Sequence, residues 1–188
     1  MSTIENLTNH FLIAMPTLDD PTFLRSVVLI CGHNSDGAMG VIINHPLNID
    51  MGEVYKQLNI ECEDAQRNQQ VVINGGPIQP EQGFVIHEAS STGWKGSLPL
   101  SDELAITTSS DILKALGQGQ GPKQSLVTLG YAGWDSGQLE QEIADNAWLC
   151  VPATAEIIFD CPMPIRWSSA AKTIGVDLLQ LSDDVGHA

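Results

Sequence analysis

The sequence predicts a single α+β domain. Nine short apolar runs read as strands and four stretches show helical spacing, and these do not alternate strictly as a doubly wound sheet requires. The length of 188 residues suits one domain, with no internal repeat and no linker long enough to divide the chain. Taken in order, the predicted strands are Phe11 to Met15, Ser26 to Cys31, Met39 to Asn44, Gln70 to Asn74, Gly83 to His87, Leu104 to Thr107, Gln124 to Leu129, Trp148 to Val151 and Ile157 to Phe159. Each is an apolar run bounded by turn residues. Met51 to Leu58 is helical because Met51, Val54, Tyr55 and Leu58 fall on one face. Ser110 can cap a helix ending near Gly117, and Asp135 or Ser136 one carrying Leu139 and Ile143. Arg166 to Ile174 places Trp167, Ala170, Ala171 and Ile174 on one stripe.

Composition narrows the classes of partner. Apolar residues make up 43%, enough for a self-sufficient core at this length. Eight Lys and Arg against 23 Asp and Glu leave a net charge of 8 − 23 = −15. The basic residues form no cluster, the nearest two being Arg166 and Lys172. Affinity for nucleic acid comes mainly from cations that neutralise phosphates, so direct nucleic-acid binding is not expected. The first ten residues hold Glu5 and no Lys or Arg, and no apolar run approaches the length of a membrane span. The expectation is a cytoplasmic protein with no membrane partner. Cys31, Cys62, Cys150 and Cys161 form no CxxC pair, and no zinc-type spacing exists. Reduced structural thiols, with no metal and no cofactor, follow.

Several catalytic signatures fail on their own terms. Gly117 to Ser125, GQGQGPKQS, lacks the P-loop spacing, because Pro122 stands before Lys123 and the stretch follows a helix. In GHNSDG the residue two before Ser35 is His33, where a nucleophile elbow requires Gly. What remains is positional. His33, His45 and His87 each close an apolar run where a strand hands over to a loop. Two glycine-rich stretches, NGGP at Asn74 to Pro77 and LGYAGWDSGQLE at Leu129 to Glu140, each follow a strand. In the second, Gly133, Trp134 and Asp135 lead toward a helix N-terminus that favours an anion.

These stretches also carry a resemblance. FLIAMPTLDDPTFLRSVVLICGHNSDGAMGVIIN (Phe11 to Asn44), NGGPIQPEQGFVIH (Asn74 to His87), LGYAGWDSGQLEQEIADNAWL (Leu129 to Leu149), the Arg166-Trp167 pair and the tail LSDDVGHA (Leu181 to Ala188) resemble the YqgE/AlgH family of bacterial proteins across almost the whole chain. The resemblance implies a bifurcated mixed β-sheet folded into a pseudo-barrel with flanking helices. It implies no particular reaction, and it carries a proposed role in transcriptional control. His45 stands where relatives often carry Lys, and Gln82 where they often carry Arg before GF.

The sequence therefore points to a non-catalytic ligand-binding or regulatory module, acting on transcription indirectly if at all. Its partner would be a small anionic ligand or another protein. The alternative is a small-molecule hydrolase or transferase, with His87 as acid or base and Arg25 or Arg166 gripping an anionic substrate. The candidate ligand-binding residues are Arg25, Asn44, Gly75, Gly76, His87, Gly133, Trp134 and Arg166. NGGP, His87, Arg25 and GYAGW are expected to rim one groove on one side of the sheet, with Asn44 nearby.

Overall fold

The apolar runs lack a clean in-out alternation because both faces of the sheet are covered. Along β1 (His10–Ala14), Phe11 and Ile13 pack into one cluster while Leu12 and Ala14 pack into another. Along β2 (Val27–Asn34), Val27 and Leu29 separate from Val28 and Ile30 in the same way. The computed structural model describes residues 5–89 and 93–185. Gly186 to Ala188, the end of the LSDDVGHA stretch, lie outside the described residues.

Ten strands form one curled sheet, a half-barrel flanked by helices. The remaining strands are β3 (Gly37–Ile42), β4 (Pro46–Asp50), β5 (Val71–Asn74), β6 (Ile78–Glu88), β7 (Ser97–Pro99), β8 (Leu104–Thr107), β9 (Ser125–Asp135) and β10 (Trp148–Pro152). The main path runs β10-β1-β2-β3-β9-β6-β8-β7, with β4 and β5 branching from β9. Among the described residues only the β5–β9 pairing is parallel, with Ile73 beside Thr128 and Asn74 beside Leu129. The second half of β9 instead pairs with β3, from Ala132 beside Gly40 to Asp135 beside Gly37. The sheet thus divides along the length of β9.

One cluster draws on both halves of the sheet and marks the inside of the curl, with Phe11, Val27, Ile43, Ile73, Ile86 and Val151 among its members. Trp167, Ala170 and Ala171 of α5 (Arg166–Lys172) join this inner cluster. On the outer face, Leu139 of α4 (Gln138–Ala144) packs with Val28, Ile42 and Trp134. Met51 and Tyr55 of α1 (Met51–Gln57) pack with Ile112 and Leu116 of α3 (Ser110–Gly117) over Val72, Val85 and Val127. The four-residue α2 (Ala65–Asn68) and the eight-residue α6 (Leu178–Val185) complete the α-helices among the described residues.

Four expectations need correction. Ile157 to Phe159 is not a strand but part of a π-helical turn, Glu156–Asp160, with Ile157 and Ile158 both buried. A short apolar run cannot be told from a buried helical turn by periodicity. The cap of α3 is Ser109 rather than Ser110, and its hydroxyl is held by the Asp111 carboxylate and the Lys95 carbonyl. The cap of α4 is Gly137 at φ 76, not Asp135 or Ser136. The helix starts at Gln138, one residue beyond Gly137, so Asp135 and Ser136 fall short of the cap position: Asp135 N–H donates to Gln138 Oε1 and the Ser136 hydroxyl to the Ser35 carbonyl. The strands β4 and β7 were not foreseen. The four cysteines are free thiols, and burial pushes Cys31 up to about 12 and Cys150 up to about 11.

Candidate functional site

Five of the eight candidate residues gather where β2 begins and β3 and β5 end. Asn44 ties the first two together: its Oδ1 accepts the Val27 N–H at 2.8 Å and its Nδ2 donates to the Arg25 carbonyl at 2.9 Å. Arg25 itself sits at φ 52, and its guanidinium carbon lies 5.0 Å from the Trp167 ring centroid. The Ile42 N–H donates to the Gly75 carbonyl at 2.8 Å, and Gly75 N–H to the Leu129 carbonyl at 2.7 Å. NGGP and LGYAG therefore pack against each other. A Cβ on Gly75 would stand 2.3 Å from the Gly130 carbonyl oxygen, and one on Gly76 2.2 Å from the Tyr131 carbonyl. Arg166 reaches the same junction by donating to the Ile43 carbonyl.

The other three lie elsewhere. Trp134 belongs to the outer cluster beneath α4, where its Nε1 and that of Trp148 both donate to Glu142 Oε2, at 2.9 and 2.8 Å. Gly133 pairs with Met39 on β3 and is exposed. His87 follows Ile86, an inner residue, so strand alternation turns it outward with Val85, toward the α1 and α3 side. It is only 1% exposed. Its Nδ1 donates to the Glu88 carbonyl at 2.8 Å, which leaves Nε2 to accept the Thr107 hydroxyl at 2.7 Å. Burial pushes its pKa below the ordinary histidine value, against a smaller opposing pull from that carbonyl. Arg25 stacks on inner-face Trp167, whereas Trp134 and His87 face outward in different clusters or halves. One groove shared by all of these segments is not formed.

Arg166 opens onto a different feature. A cleft of 630 Å³ lies between the start of α5, the Glu156–Asp160 turn, and the loop after α3. Its walls include Arg67, Gln70, Lys123, Gln124, Asp160 and Arg166, with Phe159, Met163 and Leu126 as apolar surface. Three of the chain's eight basic residues thus face one acidic wall residue. Arg166 is 5% exposed. Its Nε donates to the Cys161 carbonyl at 3.2 Å and its Nη1 to the Ile43 carbonyl, so three of the five guanidinium N–H groups have no acceptor among the described residues. The ion pairs among the described residues are His33–Glu140 and Arg67–Asp64, and Arg166 enters neither. Desolvation lowers its pKa, and a buried cation without a counter-ion is costly.

Arg67, Lys123 and Gln70 were not among the candidates. The loop Gly117 to Ser125, rejected as a P-loop, supplies part of this wall through Gly119, Gly121, Pro122 and Lys123. Sequence spacing carried no sign that Arg67 and Lys123 converge on Arg166.

Comparison with known proteins matches the chain to one family and one fold. A family model described as AlgH-like matches residues 11–179. A UPF0301 protein of Stenotrophomonas maltophilia is 50% identical over 185 residues, 98% of each chain. One from Legionella pneumophila is 49% identical over 188 residues, 100% of each chain. The solution structure of the AlgH protein from Pseudomonas aeruginosa superposes with a TM-score of 0.79 at 45% identity, covering 100% of this chain and 99% of that one. A crystal structure of a Corynebacterium diphtheriae protein shares the fold, with a TM-score of 0.75 at 20% identity over 97% of this chain and 94% of that one.

Proposed function

The chain belongs to the AlgH-like family, and on that premise we propose that it is a non-catalytic, cytoplasmic regulatory module whose Arg166 cleft takes a small anionic ligand. The observation that carries the reading is the buried Arg166 guanidinium, uncompensated among the described residues, with N–H donors to spare on the wall of a cleft that also holds Arg67 and Lys123. Guanidinium donors in a fixed fork match a carboxylate or phosphate bidentately. The apolar wall of Phe159, Met163 and Leu126 suits an organic body on that anion. In the enzyme alternative His87 would move a proton, yet both of its ring nitrogens are already engaged by Glu88 and Thr107. A role in transcription would pass through a partner protein, because a net charge of −15 repels a phosphate backbone.

Titration with inorganic phosphate and with citrate, followed by amide NMR and thermal shift, tests the reading. Saturable perturbation centred on Lys123, Gln124 and Arg166, weakened about threefold or more in Lys123→Ala and Arg67→Ala, is the expected result. Both substitutions lie on the cleft's exposed or half-exposed wall, so they leave the core intact. Perturbation by neither anion, or equal affinity in the two variants, would reject it.

A further inference from the structure

The α1 and α3 helices that lean over the outer face of the sheet leave a second opening, of opposite electrostatic character. We infer that this is a binding site for a small amphiphilic amine: a cationic nitrogen on an aryl or branched alkyl body. The cavity has a volume of 410 Å³, within the roughly 300–1,000 Å³ of ligand pockets. Its floor is the outer face of the sheet, Val85, Val127 and Leu129, and its walls bring Val54 and Leu58 from α1 and Leu113 from α3. That surface takes an apolar body.

The polar groups decide the charge. Glu53 and Glu81 both line the opening, Gln57 and the hydroxyl residues Thr108, Ser109 and Ser110 stand beside them, and no Lys, Arg or His is in the lining. Neither glutamate enters an ion pair among the described residues. Glu81 is carried over the opening by an irregular stretch of β6, where the register with β9 breaks between Ile78 and Gly83 and Gln79 sits at φ 44. Such a bulge re-aims the side chains that follow it. The start of α3 would by itself favour an anion, but Asp111 already answers it: its carboxylate accepts the Ser109 hydroxyl and the N–H groups of Ile112 and Lys95. Those contacts, led by Ser109, hold the Asp111 carboxyl below the usual carboxylate range. A ligand anion would therefore meet the Glu53 and Glu81 carboxylates and no cation of the lining, whereas an ammonium group would meet two acceptors unpaired among the described residues at the mouth. Thr107 belongs to the lining too, but its hydroxyl proton goes to His87 Nε2, so it offers the cavity no free donor.

Three probes of matched shape separate body from charge: 4-phenylbutylamine, 4-phenylbutanol and 4-phenylbutyrate, titrated into the full chain by amide NMR. The amine is expected to bind saturably, with shifts centred on Val85, Val127 and Leu113, and to bind at least about threefold more tightly than the alcohol. The carboxylate should show no saturable binding there. Glu53→Gln with Glu81→Gln should abolish the amine's advantage while leaving the alcohol's affinity unchanged. Ser110→Trp, an exposed position at the mouth, should block both. Equal affinity for amine and alcohol in the wild type, or binding of the carboxylate at this cavity, would overturn the inference. So would amine binding that survives Ser110→Trp. Phosphate and citrate report on the Arg166 cleft alone, so failure here leaves that reading standing.

Discussion

At the scale of single residues, the structure gives most of the distinctive polar side chains structural partners and leaves few for chemistry. Asn44 staples two strand ends, Glu142 receives two indole N–H groups on one oxygen, and His87 is held between a carbonyl and a hydroxyl. His87 also sets a pH dependence. Its folded pKa is lowered by burial, so below the unfolded value of 6.5 the unfolded chain binds a proton that the folded chain refuses. Stability is then complete above that value and declines as pH falls from it toward the folded pKa. His45, lowered in the same direction by burial, adds to the trend. Urea midpoints measured from pH 7.5 to 5 should fall, and His87→Gln should flatten the slope by close to one proton's worth. An unchanged slope in that variant would mean that His87 is protonated in the folded protein. The sequence marked His87 as notable without revealing why, because its bonding partner Thr107 lies on a neighbouring strand.

At the scale of elements, legibility followed burial. The strand β8 was read to the residue at Leu104–Thr107, since all four of its side chains are buried. By contrast, β7 is three exposed residues with no apolar pattern, and β4 carries only two apolar residues, the half-buried Leu47 and Ile49, behind Pro46. β6 and β9 run well beyond their apolar cores, through Pro80, Glu81 and the glycines of LGYAG, which look like loop residues. The glycines of the two motifs proved to be the joint between branches of the sheet. A substitution pair separates this role from a merely flexible turn. Gly130→Ala puts a Cβ 2.3 Å from the Gly76 carbonyl oxygen at φ 79, and should lower the unfolding free energy by more than about 3 kcal/mol. Gly32→Ala meets nothing within 4 Å and should change it by less than about 1 kcal/mol. Chemical denaturation of the two variants checks the contrast, and similar values for both would dissolve the joint.

At the scale of the whole molecule, the net charge of −15 coexists with a local excess of cations in one cleft, and the first is visible in composition while the second is not. Arg67, Lys123 and Arg166 come from separate parts of the chain, and only the packing of α2, the α3 loop and α5 brings them to one cleft. The same charge predicts weak contact with duplex DNA, no tighter than the non-specific range of about 10⁻⁴ to 10⁻⁶ M at physiological salt. Fluorescence anisotropy on a labelled duplex measures this, and a nanomolar constant with a steep salt slope would contradict it. The curled sheet also has a temporal side. Residues of β9 complete the pairing of β3, β5 and β6, yet β9 is not made until residue 125. On a ribosome adding about 5–20 residues per second, the strands β3, β5 and β6 would wait for several seconds with open hydrogen-bonding edges. Until the ninth strand emerges those edges stay open to other chains, so refolding from denaturant should be slow and concentration-sensitive.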